Sequence, residues 1–277
     1  MIIAFYANRI KEAIEEQEAM CNEFYRSLLS GKEDVLYSIL LQGLRNRTQV
    51  IRFPLSATIS VNRVLGAILH DHPEIVWTNG QWSGEPEKTS VAIPKYTLSE
   101  DGICAFQREA TLMAEVLRPV AVLPERERVR WIYDFLLENI VYDLQSPHSQ
   151  DAYGALVEGH AVCRGITKAV QLLLRACGLE ATTLDGKLNG EALHTWNVAT
   201  LAVGSFHLDL TMGYPMFASL YTGRGLPYSR YAAFCVSDDT LRQTHSWDYA
   251  SFPIHCLHDL SEASAPKESK PKTILKE

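Results

Sequence analysis

The chain has 277 residues, 47% of them hydrophobic and 21% charged, with a formal net charge of −7. These proportions fit a soluble globular protein of one large domain or two modest ones, and the acidic balance argues against a binder of nucleic-acid backbones, which needs a basic surface. No apolar run approaches the ~20 residues of a membrane span, and the opening MIIAFYANRIKEAIEEQ lacks the basic start and long apolar stretch of a secretion signal. No membrane partner is expected, and a cytoplasmic location is.

In chain order, apolar spacing predicts a helix from Arg9 to Leu29, ended by Gly31, and a second from Val61 to Leu69. EIVWTNGQWSG then carries Asn79-Gly80 between residues of high strand propensity, the signal of a hairpin turn. VAIPKYTL (91–98) reads as a strand, in which Pro94 predicts an edge position. A helix over Gln107–Leu117 leads on. Leu123-Pro124-Glu125 starts another, with Val129, Ile132, Tyr133, Leu136 and Ile140 at helical spacing, and VYD (141–143) closes it.

VEGHAVCRGI (157–166) follows a polar loop. Cys163 falls at the first turn of a helix whose buried face is Ile166, Val170, Leu173 and Cys177, and Gly178 suits a left-handed cap. HTWNVATL (194–201) and SFHLDLT (205–211) read as two antiparallel strands around Ala202-Val203-Gly204. The polar, proline-bearing EASAPKESKPKTILKE is expected to be disordered. The expected division is an N-terminal mixed α/β region over 1–118, a core over 119–260 and a tail over 261–277.

The six cysteines, Cys21, Cys104, Cys163, Cys177, Cys235 and Cys256, are scattered without a CxxC pair. In a cytosolic chain they are free thiols, most of them packing residues. Cys163 has three readings: a small hydrophobe, a metal ligand with His160 at H-x-x-C spacing, or a nucleophile. A helix N-terminus offers unpaired N–H groups and partial positive charge, which favour a thiolate and can hold an oxyanion, with the Cys163 N–H as first donor. A thiolate nucleophile also needs a base, and the base an orienting group. His194 opens the first strand and Asp209 lies in the second. A two-residue turn at Val203-Gly204 would pair Asp209 with Val198, leaving His194 four residues away, roughly 13 Å. A bulge, a longer turn or another register must close that gap. A metal set of His160, Cys163 and His194 lacks the fourth ligand of a structural zinc site, and Cys235, His245 and Cys256 form a looser set. No metal or cofactor is expected.

GHAVCRGITKAVQLLLRACGLEATTLDG, HTWNV and FHLDLT, in this order, resemble the transglutaminase-like superfamily over about residues 120–215. The resemblance implies an α+β protein: a papain/transglutaminase-like core, its cysteine helix packed on an antiparallel sheet, preceded by a helical and hairpin region. It implies Cys163 as nucleophile, His194 as general base and acid, and Asp209 as orienter. Trp196 would shape the site wall or pack beneath it, Thr211 would support the aspartate strand, and Tyr153 would line the entrance. Two departures stand out. Gly159 lies four residues before Cys163 where the family has three, and His207 stands where an aromatic is common, adding a titratable group near the site. DHPEIVW (71–77) and AFCVSDDTLRQTH (233–245) resemble flanking regions of bacterial members. The implied activity is thiol-dependent acyl chemistry on a peptide or protein amide, with hydrolysis by a protease or amidase ahead of amine transfer. A non-catalytic protein-binding module on the same fold and a crosslinking transglutaminase are the other readings.

Overall fold

The computed structural model describes residues 23–54 and 59–260. Cys21, most of the first expected helix and the expected tail lie outside the described residues; of that helix, Phe24–Ser27 is helical. No helix among the described residues is long and apolar enough to cross a membrane.

Gly31 opens a helix instead of ending one. Ser30 and Glu33 form a capping box, with the Ser30 N–H donating to Glu33 Oε2 at 3.0 Å, and this starts α1 (Gly31–Arg45). Helix α2 (Val61–Asp71) packs on it through Leu40, Leu44, Val64 and Ile68. Three short antiparallel strands lie beside them in the order β1-β3-β2: β1 (Ile51–Arg52), β2 (Thr78–Ser83) and β3 (Val91–Tyr96).

Two expectations fail in this small sheet. Asn79-Gly80 sits inside β2, where the register shifts between Thr78 and Trp82 and Gly80 takes φ +83°. The Asn-Gly signal therefore serves a bulge, which also needs positive φ, and the chain reverses later, over 84–90. Pro94 lies in the central strand, not at an edge. It is tolerated because β1 pairs only with Val91 and Ala92, so no ladder bond is asked of it there.

Helix α3 (Glu100–Leu117) begins earlier than expected, because the Ser99 side chain caps it by accepting from the Gly102 N–H. Helix α4 (Glu125–Asn139) begins behind Pro124, and β4 (Val141–Tyr142) pairs in parallel with β5 (His160–Ala161). The cysteine helix, α5 (Cys163–Ala176), is followed by Gly178 at φ +73°. It packs on an antiparallel five-stranded sheet of order β10-β6-β7-β8-β9, comprising β6 (Glu180–Leu188), β7 (Ala192–Leu201), β8 (Gly204–Leu208), β9 (Phe234–Val236) and β10 (His245–Ser246).

Ile166, Val170 and Leu173 of α5 share one core with Ala199, Phe206 and Leu208. Leu184, Trp196, Val198, Met212, Trp247 and Phe252 form another. Strand β7 contributes to both, so it is apolar on two faces and shows little alternation. The protein is thus an α+β fold with the cysteine helix laid on an antiparallel sheet. The N-terminal elements dock on the same helix: Arg175 Nη1 donates to the Asp71 carbonyl at 2.6 Å and Gln171 Nε2 to the His70 carbonyl at 3.0 Å.

Candidate active site

The β7–β8 hairpin turns on Ala202-Val203, because Leu201 pairs with Gly204. This is one residue earlier than the turn expected from sequence. With Asn197 opposite Leu208, Asp209 stands level with Trp196, two residues from His194 and not four. Diagonal neighbours at that offset are roughly 7 Å apart, within reach of two facing side chains. Strand β8 ends at Leu208, and Asp209 caps a 3₁₀ turn, Leu210–Gly213. Its N–H donates to the Ala233 carbonyl at 2.9 Å, its Oδ1 accepts from the Thr211 N–H at 2.9 Å, and its Oδ2 accepts from His194 Nε2 at 2.7 Å.

Both members of this pair are buried, while Cys163 is part-exposed. Burial opposes charge on His194. Asp209 and the neighbouring Cys163 thiol overcome it and raise the imidazole pKa to about 10. Burial likewise opposes the Asp209 carboxylate, and the charge and hydrogen bonds of His194, with His245, hold it well below the usual carboxylate range. At neutral pH the pair is imidazolium and carboxylate. Since Nε2 is taken by Asp209, Nδ1 is the ring nitrogen left for the thiol.

Cys163 is the first residue of α5, and Val162 before it offers no side-chain cap. The Cys163 N–H is met by the Tyr142 hydroxyl, which an oxyanion would have to displace. Tyr142 joins the thiol from β4. The parallel pairing of Tyr142 with Ala161 brings it there, and burial together with the cysteine pushes its hydroxyl up to about 12. Its ring meets Phe217 edge-on at 5.1 Å. Nothing in the short VYD segment marks this role.

Trp196 is fully buried and stacks on His194, with ring centroids 6.0 Å apart and planes 21° from parallel. It supports the base from within the core. Thr211 supports Asp209 through its backbone N–H, and its buried hydroxyl has no hydrogen-bond partner among the described residues. Tyr153 is not gathered to this group by the contacts recorded for it among the described residues. Its ring packs with the cluster of Val76 and Phe106 and lies edge-on to His148 at 5.0 Å.

His160 bonds Asp143 Oδ2 through Nδ1 at 3.0 Å, so its partner is a carboxylate and not the cysteine. His207 is fully buried and touches the site through Trp196, whose indole N–H it accepts, and through the electrostatic effect between it and His245. The looser set of Cys235, His245 and Cys256 does not assemble. Among the described residues the groups close enough to share a metal ion are His194, Asp209 and His245, and His207, Asp238 and Cys256. In the second group the Trp196 N–H occupies His207 Nδ1, which leaves His207 Nε2 protonated on Asp238 Oδ1 and unable to ligate.

His245 is a second residue, after Tyr142, that sequence reasoning did not place at the site. It is fully buried, and its Nε2 lies 3.0 Å from Asp209 Oδ2, the oxygen that also serves His194. A short pairing of β10 with β6, His245 opposite Leu188, carries it there from 36 residues beyond Asp209. It ends AFCVSDDTLRQTH, so the flanking resemblance pointed to it, as did the looser set with Cys235 and Cys256, though neither placed it on Asp209.

The model of the transglutaminase-like superfamily matches residues 111–210, the segment that holds Cys163, His194 and Asp209. No curated protein matches the chain. Among solved structures, it aligns with a TGase at 16% identity over 42% of this chain and 34% of that one, with a TM-score of 0.35. It aligns with a proposed cysteine protease from Cytophaga hutchinsonii at 20% identity over 57% of this chain and 50% of that one, with a TM-score of 0.34. The chain thus spans half or less of the length of either structure.

Proposed function

We propose that the protein, whose residues 111–210 match the model of the transglutaminase-like superfamily, is a cysteine-dependent enzyme acting on a peptide or protein amide. The Cys163 sulfur bonds to the amide carbonyl carbon, and the first-turn N–H groups of α5 receive the oxyanion. The C–N bond breaks as His194 passes a proton to the leaving nitrogen, which leaves a thioester. Neutral His194 then takes a proton from water, the hydroxyl adds to the thioester carbon, the C–S bond breaks, and a carboxylic acid departs.

The observation that carries this reading is the 2.7 Å contact of His194 Nε2 with Asp209 Oδ2, buried beside a part-exposed cysteine at an uncapped helix end. Hydrolysis is favoured over amine transfer, because transfer needs an acceptor that outcompetes water and Cys163 is not sealed from solvent. Tyr153 remains a candidate for lining the approach from the side of His148.

Alkylation with iodoacetamide, followed peptide by peptide, tests the reading. Cys104 is exposed and serves as the internal standard. Cys163 is expected to outpace it, and His194→Ala is expected to remove the advantage. Equal rates for the two thiols, unchanged by His194→Ala, would leave the non-catalytic binding module as the better reading. Ammonia release and peptide cleavage, each with and without an added amine, then separate hydrolysis from transfer.

A further inference from the structure

Asp209 Oδ2 accepts from two imidazoles at once, His194 Nε2 at 2.7 Å and His245 Nε2 at 3.0 Å. A carboxylate needs one of them to orient a base. The second is fully buried and held on both sides, for His245 Nδ1 lies 2.8 Å from Thr244 Oγ1. The Thr244 carbonyl in turn accepts from the Asn189 N–H at 2.8 Å, which anchors the loop to the end of β6.

The groups facing His245 define its proton state. Asp209 comes from the end of β8, His194 from β7 with ring centroids 5.4 Å apart, and His207 from within β8. Burial keeps His245 from taking a second proton, against the partial help of Asp209 and of the Leu241 carbonyl, which also lies 3.4 Å from Thr244 Oγ1. Its Nε2 must carry a hydrogen, because it faces a carboxylate, and its Nδ1 accepts from the Thr244 hydroxyl.

We propose that His245 is a positioning residue of this site: a neutral imidazole that fixes the Asp209 carboxylate and takes a share of its charge, so that the His194 imidazolium is oriented and still able to release its proton. The proposal rests on the cysteine-enzyme reading for its purpose, though not for its geometry. Two donors on one oxygen weaken each other. Removing the neutral one concentrates the charge of Asp209 on His194, which then holds its proton more tightly. Acylation needs the imidazolium to give a proton to the leaving nitrogen, so a His194 that holds its proton more tightly slows the step that forms the thioester.

The test uses the full chain as wild type, His245→Leu, His245→Gln and Thr244→Val. Histidine NMR titration follows His194, assigned by its loss in His194→Ala. In His245→Leu the His194 midpoint is expected to move to higher pH by up to about one unit. His245→Gln, whose amide N–H reaches where Nε2 stood, is expected to restore the wild-type midpoint. Thr244→Val weakens the donor without removing it and is expected to give a smaller upward move, which keeps the proposal open to refutation where the leucine variant does not fold. Midpoints unchanged or lowered in the folded variants would overturn it. Loss of the cysteine-enzyme reading would appear elsewhere, as a Cys163 alkylation rate indifferent to His194→Ala, with the NMR midpoints still readable.

Discussion

Trp196 donates its indole N–H to Nδ1 of His207 at 3.0 Å, and both side chains are fully buried. The contact fixes the tautomer: His207 holds its proton on Nε2 and gives it to Asp238 Oδ1 at 2.8 Å. A chain of buried polar groups thus runs behind the stacked Trp196–His194 pair, satisfied only while His207 is neutral.

Acid should break that chain before it reaches the Asp209 pair. Burial, only partly offset by Asp238, brings the His207 pKa down to about 4 from an ordinary 6.5. Between those values the unfolded chain binds the proton and the folded chain does not, so stability is lost as pH falls through this window. Urea unfolding at pH 7 and pH 4.5 is expected to differ by about 2 kcal/mol from this group. His207→Asn, whose Oδ1 can still accept from Trp196, is expected to be less stable and to show a shallower acid slope. An identical slope in both proteins would count against His207 as the source.

The His194–Asp209 pair predicts the opposite limb. With the His194 pKa raised to about 10 from 6.5, the stabilisation it lends is complete below pH 6.5 and disappears as pH rises towards 10. Asp209→Asn keeps the volume and removes the charge. It is expected to flatten the alkaline loss of stability and to bring the His194 titration down. On the proposed activity, turnover should fall by roughly 10⁴-fold, the loss when the orienting carboxylate of a triad becomes an amide. An alkaline stability curve matching wild type would show that the pair is not the ion pair described.

Legibility followed range along the chain. Helix α5 and the β7–β8 hairpin carry their own signals, a buried stripe over Ile166, Val170 and Leu173 and motif residues near the strand ends, and both form, although the second strand stops at Leu208 and leaves Asp209 to cap a 3₁₀ turn instead of lying in the strand. The register did not, because a one-residue choice of turn shifts every opposite pair and the loop Ala202-Val203-Gly204 suits either. Tyr142 and His245 arrive through β4–β5 and β10–β6, pairings of two residues each between distant segments, too short to leave a pattern. Asn79-Gly80 and Pro94 misled for one reason. Each reports a local backbone demand, and more than one architecture can meet it.

The far end of α5 offers a control in which stability and site chemistry separate. Arg175, 8% exposed, donates Nη1 to the Asp71 carbonyl at 2.6 Å and Nε to the Ala181 carbonyl at 3.2 Å. Arg175→Leu leaves buried acceptors without these donors, at a cost of about 1–3 kcal/mol. Limited proteolysis should then cut sooner between the N-terminal elements and α3. Cys163 lies at the opposite end of the helix, so its alkylation rate relative to Cys104 is expected to stay as in wild type. A change in that ratio would mean that the docked N-terminal elements reach the site.

Gly186 tests the packing beneath the base. It pairs with His194 across β6 and β7. A Cβ there would meet the Trp196 ring at 2.5 Å and the Ser246 carbonyl oxygen of β10 at 2.5 Å. Neither neighbour can yield freely. The tryptophan is fully buried against His194 and anchored on His207, and Ser246 follows His245 on the strand that carries it to Asp209. Gly186→Ala is therefore expected to cost about 1–3 kcal/mol through overpacking. It should also lower the Cys163 alkylation rate relative to Cys104, because the added methyl group pushes on both imidazoles that share Asp209 Oδ2. Compared with Arg175→Leu, it should lose less or similar stability and far more of the thiol's advantage. A Gly186→Ala protein with the wild-type alkylation ratio would show that Trp196 and β10 can shift without moving His194.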